Sequence, residues 1–173
     1  MNTKVSFWLI PSEEQKAFFE QIIATLAQEY NAPVFTPHVT IYSGEYTSDE
    51  SPAELIGKST QGIQGFSLKV DQLLYTDQFT KTLFVQFHQS PILTQLSQAL
   101  RSQSKYPSNF TLNPHLSLIY EYLSEDIKKN LVSSIRLPNS EVFFNEVRAI
   151  SASEKTQNRE DVESWKVIGT QKI

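Results

Sequence analysis

Two of the three histidines in this chain sit in nearly the same frame. Thr36-Pro37-His38-Val39-Thr40-Ile41-Tyr42 and Asn113-Pro114-His115-Leu116-Ser117-Leu118-Ile119-Tyr120 both read Pro-His-apolar-hydroxyl-apolar. On an extended chain residues i and i+2 face the same side. His38 therefore shares a face with Thr40, and His115 with Ser117, each backed by an apolar face that fixes the strand. An imidazole, with an ordinary pKa of about 6.5, can give or take a proton at neutral pH. A hydroxyl can donate to a phosphate oxygen without adding charge. Two such units facing one phosphorus supply what opening a cyclic phosphodiester requires. One histidine takes a proton from water, the other protonates the departing ribose oxygen, and the hydroxyls Thr40 and Ser117 hold the oxyanion. The cyclic ester is strained, so no metal Lewis acid and no cofactor is expected. A lone histidine is usually a hydrogen-bonded or surface residue; the repeat of the whole frame is what carries the signal.

The order of elements repeats as well. Residues 3 to 10 read as a β-strand closed by Pro11, and Ser12 with Gln15 predicts a capping box opening a helix that runs to Tyr30. Asn31 and Pro33 stop that helix, and a strand follows over residues 34 to 43. Strand, proline, helix and Pro-His motif recur between residues 82 and 120. Between the copies lie a short helix near 49 to 58, begun by Ser48 or by Ser51-Pro52, and strands over 66 to 75 and 81 to 88, with a turn near Asp77. A helix from Pro91 to about Arg101 precedes the strand from Thr111 to Tyr120. The chain closes with a helix from Ser124 to Ile135 and strands over 141 to 151 and 162 to 170, around a polar loop from Glu154 to Asp161. Two copies of one unit predict a single catalytic domain over residues 1–173 made of two pseudo-symmetric lobes, with the site in the cleft between them.

With these motifs in view, the chain resembles the two-histidine (2H) phosphoesterases, defined by two His-x-Thr/Ser motifs about a lobe apart. It is most similar to the cyclic phosphodiesterases of plants and yeast. Trp8-Leu9-Ile10-Pro11 matches their early Trp-x-x-Pro strand end, Phe35 to Thr40 their Phe-x-Pro-His-x-Thr, and His115 to Tyr120 their His-x-Ser-x-x-Tyr. The resemblance implies an α+β bilobal fold in which two antiparallel sheets line a central cleft, with helices outside. It further implies metal-independent opening of nucleoside 2′,3′-cyclic phosphates to 2′-phosphates, and of ADP-ribose 1″,2″-cyclic phosphate to ADP-ribose 1″-phosphate. By the same resemblance Tyr120 helps hold the phosphate or water. RNA-end members similar to the 2′-5′ RNA ligases tend to carry an arginine after the second motif. Tyr120-Glu121 stands there instead, which favours small nucleotides, with an RNA-end enzyme and a non-catalytic nucleotide-binding module as the alternatives.

Other residues are weaker candidates. Trp8 is either a base-stacking aromatic of the cleft or a core tryptophan, and Phe35 and Phe84 share that ambiguity with the core favoured. His88 lacks the motif and reads as a strand-end histidine, so a metal site built from all three histidines is disfavoured. His115 is expected to be the base that activates water and His38 the acid. Tyr120 lies at an odd offset from His115, so it reaches the site only if the strand ends or bends near Ile119.

The rest of the composition bounds the function. There is no cysteine among 173 residues, which excludes a disulfide, a zinc–thiolate site and a thiol nucleophile. Net charge is −4 with no block of basic residues, so no long nucleic acid is expected as a partner. The short apolar N-terminal run is neither a secretory leader nor a membrane span. These features predict a cytoplasmic monomer that acts on a small nucleotide and has no membrane partner.

Overall fold

A computed structural model describes residues 2–152 and 155–173. Glu154, where the polar loop was expected to start, lies outside the described residues.

The first strand, β1 (Thr3–Pro11), alternates until its buried end and leads into helix α1 (Glu13–Tyr30). The predicted capping box does not form. Gln15 turns instead to the neighbouring sheet, where its side-chain oxygen accepts the Phe143 N–H at 2.6 Å. Asn31 ends α1 in the left-handed conformation (φ 53°), which asparagine tolerates better than most residues. Strand β2 (Val39–Tyr46) follows, then helix α2 (Pro52–Ser59), capped by Ser51 with Pro52 in the first turn. Strand β3 (Phe66–Tyr75) passes through a 3₁₀ turn (Phe79–Lys81) into β4 (Leu83–Phe87), and helix α3 (Pro91–Gln103) follows under a Ser90 cap. Strand β5 (His115–Ile119), helix α4 (Glu125–Ser134) and the long β6 (Glu141–Ala152) come next. A short helix α5 (Arg159–Glu163) and strand β7 (Lys166–Lys172) end the chain.

The fold is α+β, and among the described residues all strand pairings are antiparallel. The two expected sheets are present as halves of one seven-stranded sheet. One half runs β2-β1-β6-β7 and the other β5-β4-β3-β6. They share β6: its first residues, Glu141 to Phe144, pair with β3, while the remainder lies between β1 and β7. Opposite β6 the halves meet again through a single register pair, Val39 with Leu116. Each of those residues directly follows a motif histidine.

The strands carrying the histidines start later than the sequence predicts, at Val39 and His115 rather than Val34 and Thr111. The cause is local. Pro37 and Pro114 have no N–H for a ladder, and the carbonyls of Thr36 and Asn113 are taken by the imidazoles themselves. The last expected strand also begins later, because Val162 is buried in α5, whose N-terminus Asn158 caps through its side chain.

Candidate active site

The Val39–Leu116 pair determines where the chemistry sits. Carried one residue either way, that antiparallel register sets His38 opposite Ser117 and Thr40 opposite His115. Cross-strand neighbours of this kind stand about 4.5–5.5 Å apart at Cβ. Both motif histidines, Thr40, Ser117, Trp8 and Tyr120 line one cleft of about 290 Å³.

Each imidazole is oriented by the same short-range device. His38 Nδ1 lies 2.7 Å from the carbonyl of Thr36, and His115 Nδ1 lies 2.7 Å from the carbonyl of Asn113. A carbonyl only accepts, so Nδ1 carries the proton and donates. This leaves Nε2 of both rings with its lone pair free for proton transfer. Gln86 holds the second turn in place, donating from Nε2 to Asn113 Oδ1 at 2.9 Å and to the Pro114 carbonyl at 3.1 Å.

The surroundings of the two rings differ. His38 is buried; Trp8 lies flat against it at 3.6 Å between centroids and 11° between planes. Phe35 and Trp165 approach His38 edge-on at 6.3 and 6.0 Å. Burial is the main reason its pKa falls to about 3, and the nearby His115 lowers it further, while the Thr36 hydrogen bond opposes the fall. His115 is half-buried, with Phe84 edge-on at 5.4 Å. Its pKa is lowered too, first by burial and then, against the Asn113 hydrogen bond, by the Lys81 ammonium.

The hydroxyls are unequal as well. Ser117 Oγ donates to the Thr80 carbonyl at 2.8 Å, whereas Thr40 sits half-buried in the cleft wall. Tyr120 lines the cleft because β5 ends at Ile119, releasing the following residue from strict alternation. Its ring packs on Phe35 at 4.1 Å, and its hydroxyl interacts with Ser117 while burial pushes its pKa up. Tyr42, the matching tyrosine of the first motif, is fully buried and accepts the Ser108 N–H at 2.7 Å. Trp8 is only 5% exposed, so it is no open platform for a base, and its face is spent on His38. His88 lies outside the cleft at the surface, 3.7 Å from Asp71. Among the described residues no three His, Cys, Asp or Glu side chains gather as a metal-binding group. Likewise, no described helix is long and apolar enough to cross a membrane.

Among the lining residues not foreseen from sequence are Trp165, Thr80, Lys81 and Lys4. Trp165, between α5 and β7, closes one wall against Trp8 at 5.2 Å and Tyr120 at 5.6 Å. The only sequence signal for it is a second tryptophan near the end of the chain.

The family model described as cyclic phosphodiesterase-like protein matches residues 1–173. A cyclic phosphodiesterase of Arabidopsis thaliana is 26% identical over 125 residues, which is 72% of this chain and 69% of that protein. Among solved structures, apo LigT of Escherichia coli superposes with a TM-score of 0.60 at 19% identity, covering 100% of this chain and 98% of LigT. A protein of Thermus thermophilus reaches 0.61 at 14% identity, covering 98% of this chain and 97% of its own. At such identities these two structures bear on the fold alone.

Proposed function

The chain belongs to the cyclic phosphodiesterase-like protein family, and from that premise we propose that it hydrolyses cyclic phosphates with His38 and His115 as its proton-transfer pair. The substrates proposed are nucleoside 2′,3′-cyclic phosphates, opened to 2′-phosphates, and ADP-ribose 1″,2″-cyclic phosphate. The observation that carries the reading is the matched orientation of two imidazoles, each pinned at Nδ1 by the carbonyl two residues upstream. A binding module needs no such pair.

We assign the acid and base roles by burial, and this assignment differs from the one expected from sequence. Trp8, Phe35 and Trp165 enclose His38, and that burial holds its imidazole well below the ordinary histidine range, so it enters the reaction neutral. On this reading His38 is the base and His115, the less buried ring, is the acid. Nε2 of His38 takes a proton from water as its oxygen bonds to phosphorus. The bond from phosphorus to the 3′ oxygen breaks, and that oxygen takes the proton held on Nε2 of His115. Thr40 meets a non-bridging oxygen. Ser117 does the same once its proton turns from the Thr80 carbonyl, and Tyr120 supports Ser117. Trp8 acts through His38 and is a positioning residue.

Hydrolysis of adenosine 2′,3′-cyclic phosphate in excess EDTA tests this. His38→Ala and His115→Ala are each expected to lower kcat/KM by about 10²–10⁴-fold. Turnover that EDTA abolishes, or that survives both substitutions, refutes the two-histidine reading.

A further inference from the structure

We propose that Lys81 is a phosphate-binding catalytic residue: it supplies a permanent positive charge beside the dianionic transition state, one that no proton transfer removes. The inference rests on the reading above and extends it.

The need comes from charge balance. A cyclic phosphodiester carries one negative charge. When water adds to phosphorus and loses a proton to the base, the five-coordinate species carries two. A protonated His115 and the imidazolium that His38 becomes each offset one of these, but the first charge is lost as the leaving oxygen takes its proton and the second stands on the water side. The hydroxyls of Thr40 and Ser117 add none. A permanent cation beside the phosphoryl oxygens strengthens binding most where the negative charge is greatest, in the transition state.

Lys81 meets that need in three ways. It lines the same cleft as both histidines. Its ammonium sits 5.2 Å above the Phe84 ring, the same ring that abuts His115 edge-on, and its field reaches His115. Among the described residues it has no carboxylate within ion-pair distance, unlike Lys105, Lys128, Lys129 and Lys172.

The backbone beneath it is held from several sides. The Lys81 N–H donates to the Gln78 carbonyl at 3.0 Å, and the Lys81 carbonyl accepts from Thr76 Oγ1 at 2.5 Å. The adjacent Thr82 hydroxyl donates to the Glu121 carbonyl at 2.6 Å. The Thr80 carbonyl receives the Ser117 hydroxyl, which joins the turn to the second motif. A cation without a carboxylate, on a fixed turn beside an acid catalyst, is a preorganised anion site. The same field makes His115 a readier proton donor, so one side chain serves both binding and acid strength.

Lys81→Met and Lys81→Arg separate charge from packing. Lys81→Met is expected to lower kcat/KM on adenosine 2′,3′-cyclic phosphate by about 100-fold, with arginine restoring it to within about tenfold of wild type. It should weaken binding of inorganic phosphate, followed by histidine NMR, by about tenfold. The His115 titration should move up in pH, and with it the alkaline limb of kcat/KM. Phosphate affinity and the His115 titration both unchanged in Lys81→Met would overturn the proposal, as would an arginine variant no better than methionine. The phosphate and NMR readouts need no turnover. A wild type that binds phosphate through Lys81 yet leaves cyclic phosphates intact supports this site and refutes the proposed hydrolysis.

Discussion

Acid should destabilise this protein through His38 before it does so through its carboxylates. The unfolded chain takes up a proton at that imidazole near its ordinary pKa, whereas the folded chain resists until about pH 3. Below the unfolded value the unfolded state therefore binds more protons, and stability falls as pH falls. Between pH 7.5 and 5.0, a shift from about 6.5 to about 3 corresponds to about 2 kcal/mol lost, from about 1.4 kcal/mol per pH unit once the unfolded group is charged. His115 adds to the loss in the same direction. The shifted carboxylates Asp49, Glu50, Asp77 and Glu146 are all lowered, so their contribution is lost only at more acid pH. Urea denaturation of wild type and His38→Gln at pH 7.5 and 5.0 isolates the histidine's share. Wild type is expected to lose at least about 2 kcal/mol and His38→Gln about 2 kcal/mol less. Inorganic phosphate at pH 5.0 should recover part of the wild-type loss, because an anion in the cleft favours a protonated imidazole. An equal loss in both proteins would refute the assignment of His38 as a neutral, buried base.

Two further outcomes follow from the same geometry. Trp8→Ala removes the ring that covers His38 and touches Trp165; it should cost about 3 kcal/mol or more in a denaturation measurement. The NMR titration of His38 should then move up, and kcat should fall more than KM rises, while Trp8→Phe keeps most of both. A substrate whose 3′ leaving oxygen is replaced by sulfur needs no acid, so it should rescue His115→Ala by at least about tenfold relative to the oxygen substrate. It should not rescue His38→Ala, and the opposite pattern would restore the roles expected from sequence.

Much of the site is legible in the sequence because the information is local. Proline, histidine and the hydroxyl two positions on lie within four residues, and the proline biases the residue before it, whose carbonyl meets the imidazole, toward extended backbone. Helix stops such as Asn31 and caps such as Ser90 and Ser124 are local as well. The failures are long-range. Gln15 has the spacing of a capping residue, but the Phe143 N–H, 128 positions away, takes its oxygen. Trp165 enters the cleft through a turn between a five-residue helix and the last strand, too short for periodicity to reveal. Lys81 looks like the first residue of a strand in an alternating pattern; the 3₁₀ turn that aims it is held by Glu121, Thr76 and Ser117, none of them its neighbour in sequence.

The repeated motif predicts symmetry, and the chemistry requires that the symmetry fail. A base must be neutral when an acid is charged, so two identical histidines in identical surroundings would compete for one proton. Here the backbone reproduces the symmetry closely, with the same carbonyl contact at 2.7 Å in both motifs. What differs comes from outside the motifs: Trp8, Phe35 and Trp165 enclose His38, while His115 is less buried and faces the Thr80–Lys81 turn. Even the paired tyrosines diverge, since Tyr42 anchors the segment at Ser108 and Tyr120 reaches the cleft. Duplicated strands thus bring two equivalent imidazoles to one cleft, and Trp8 of β1, Phe35, Trp165 and the 3₁₀ turn give the two rings the different surroundings on which the proposed division into base and acid rests.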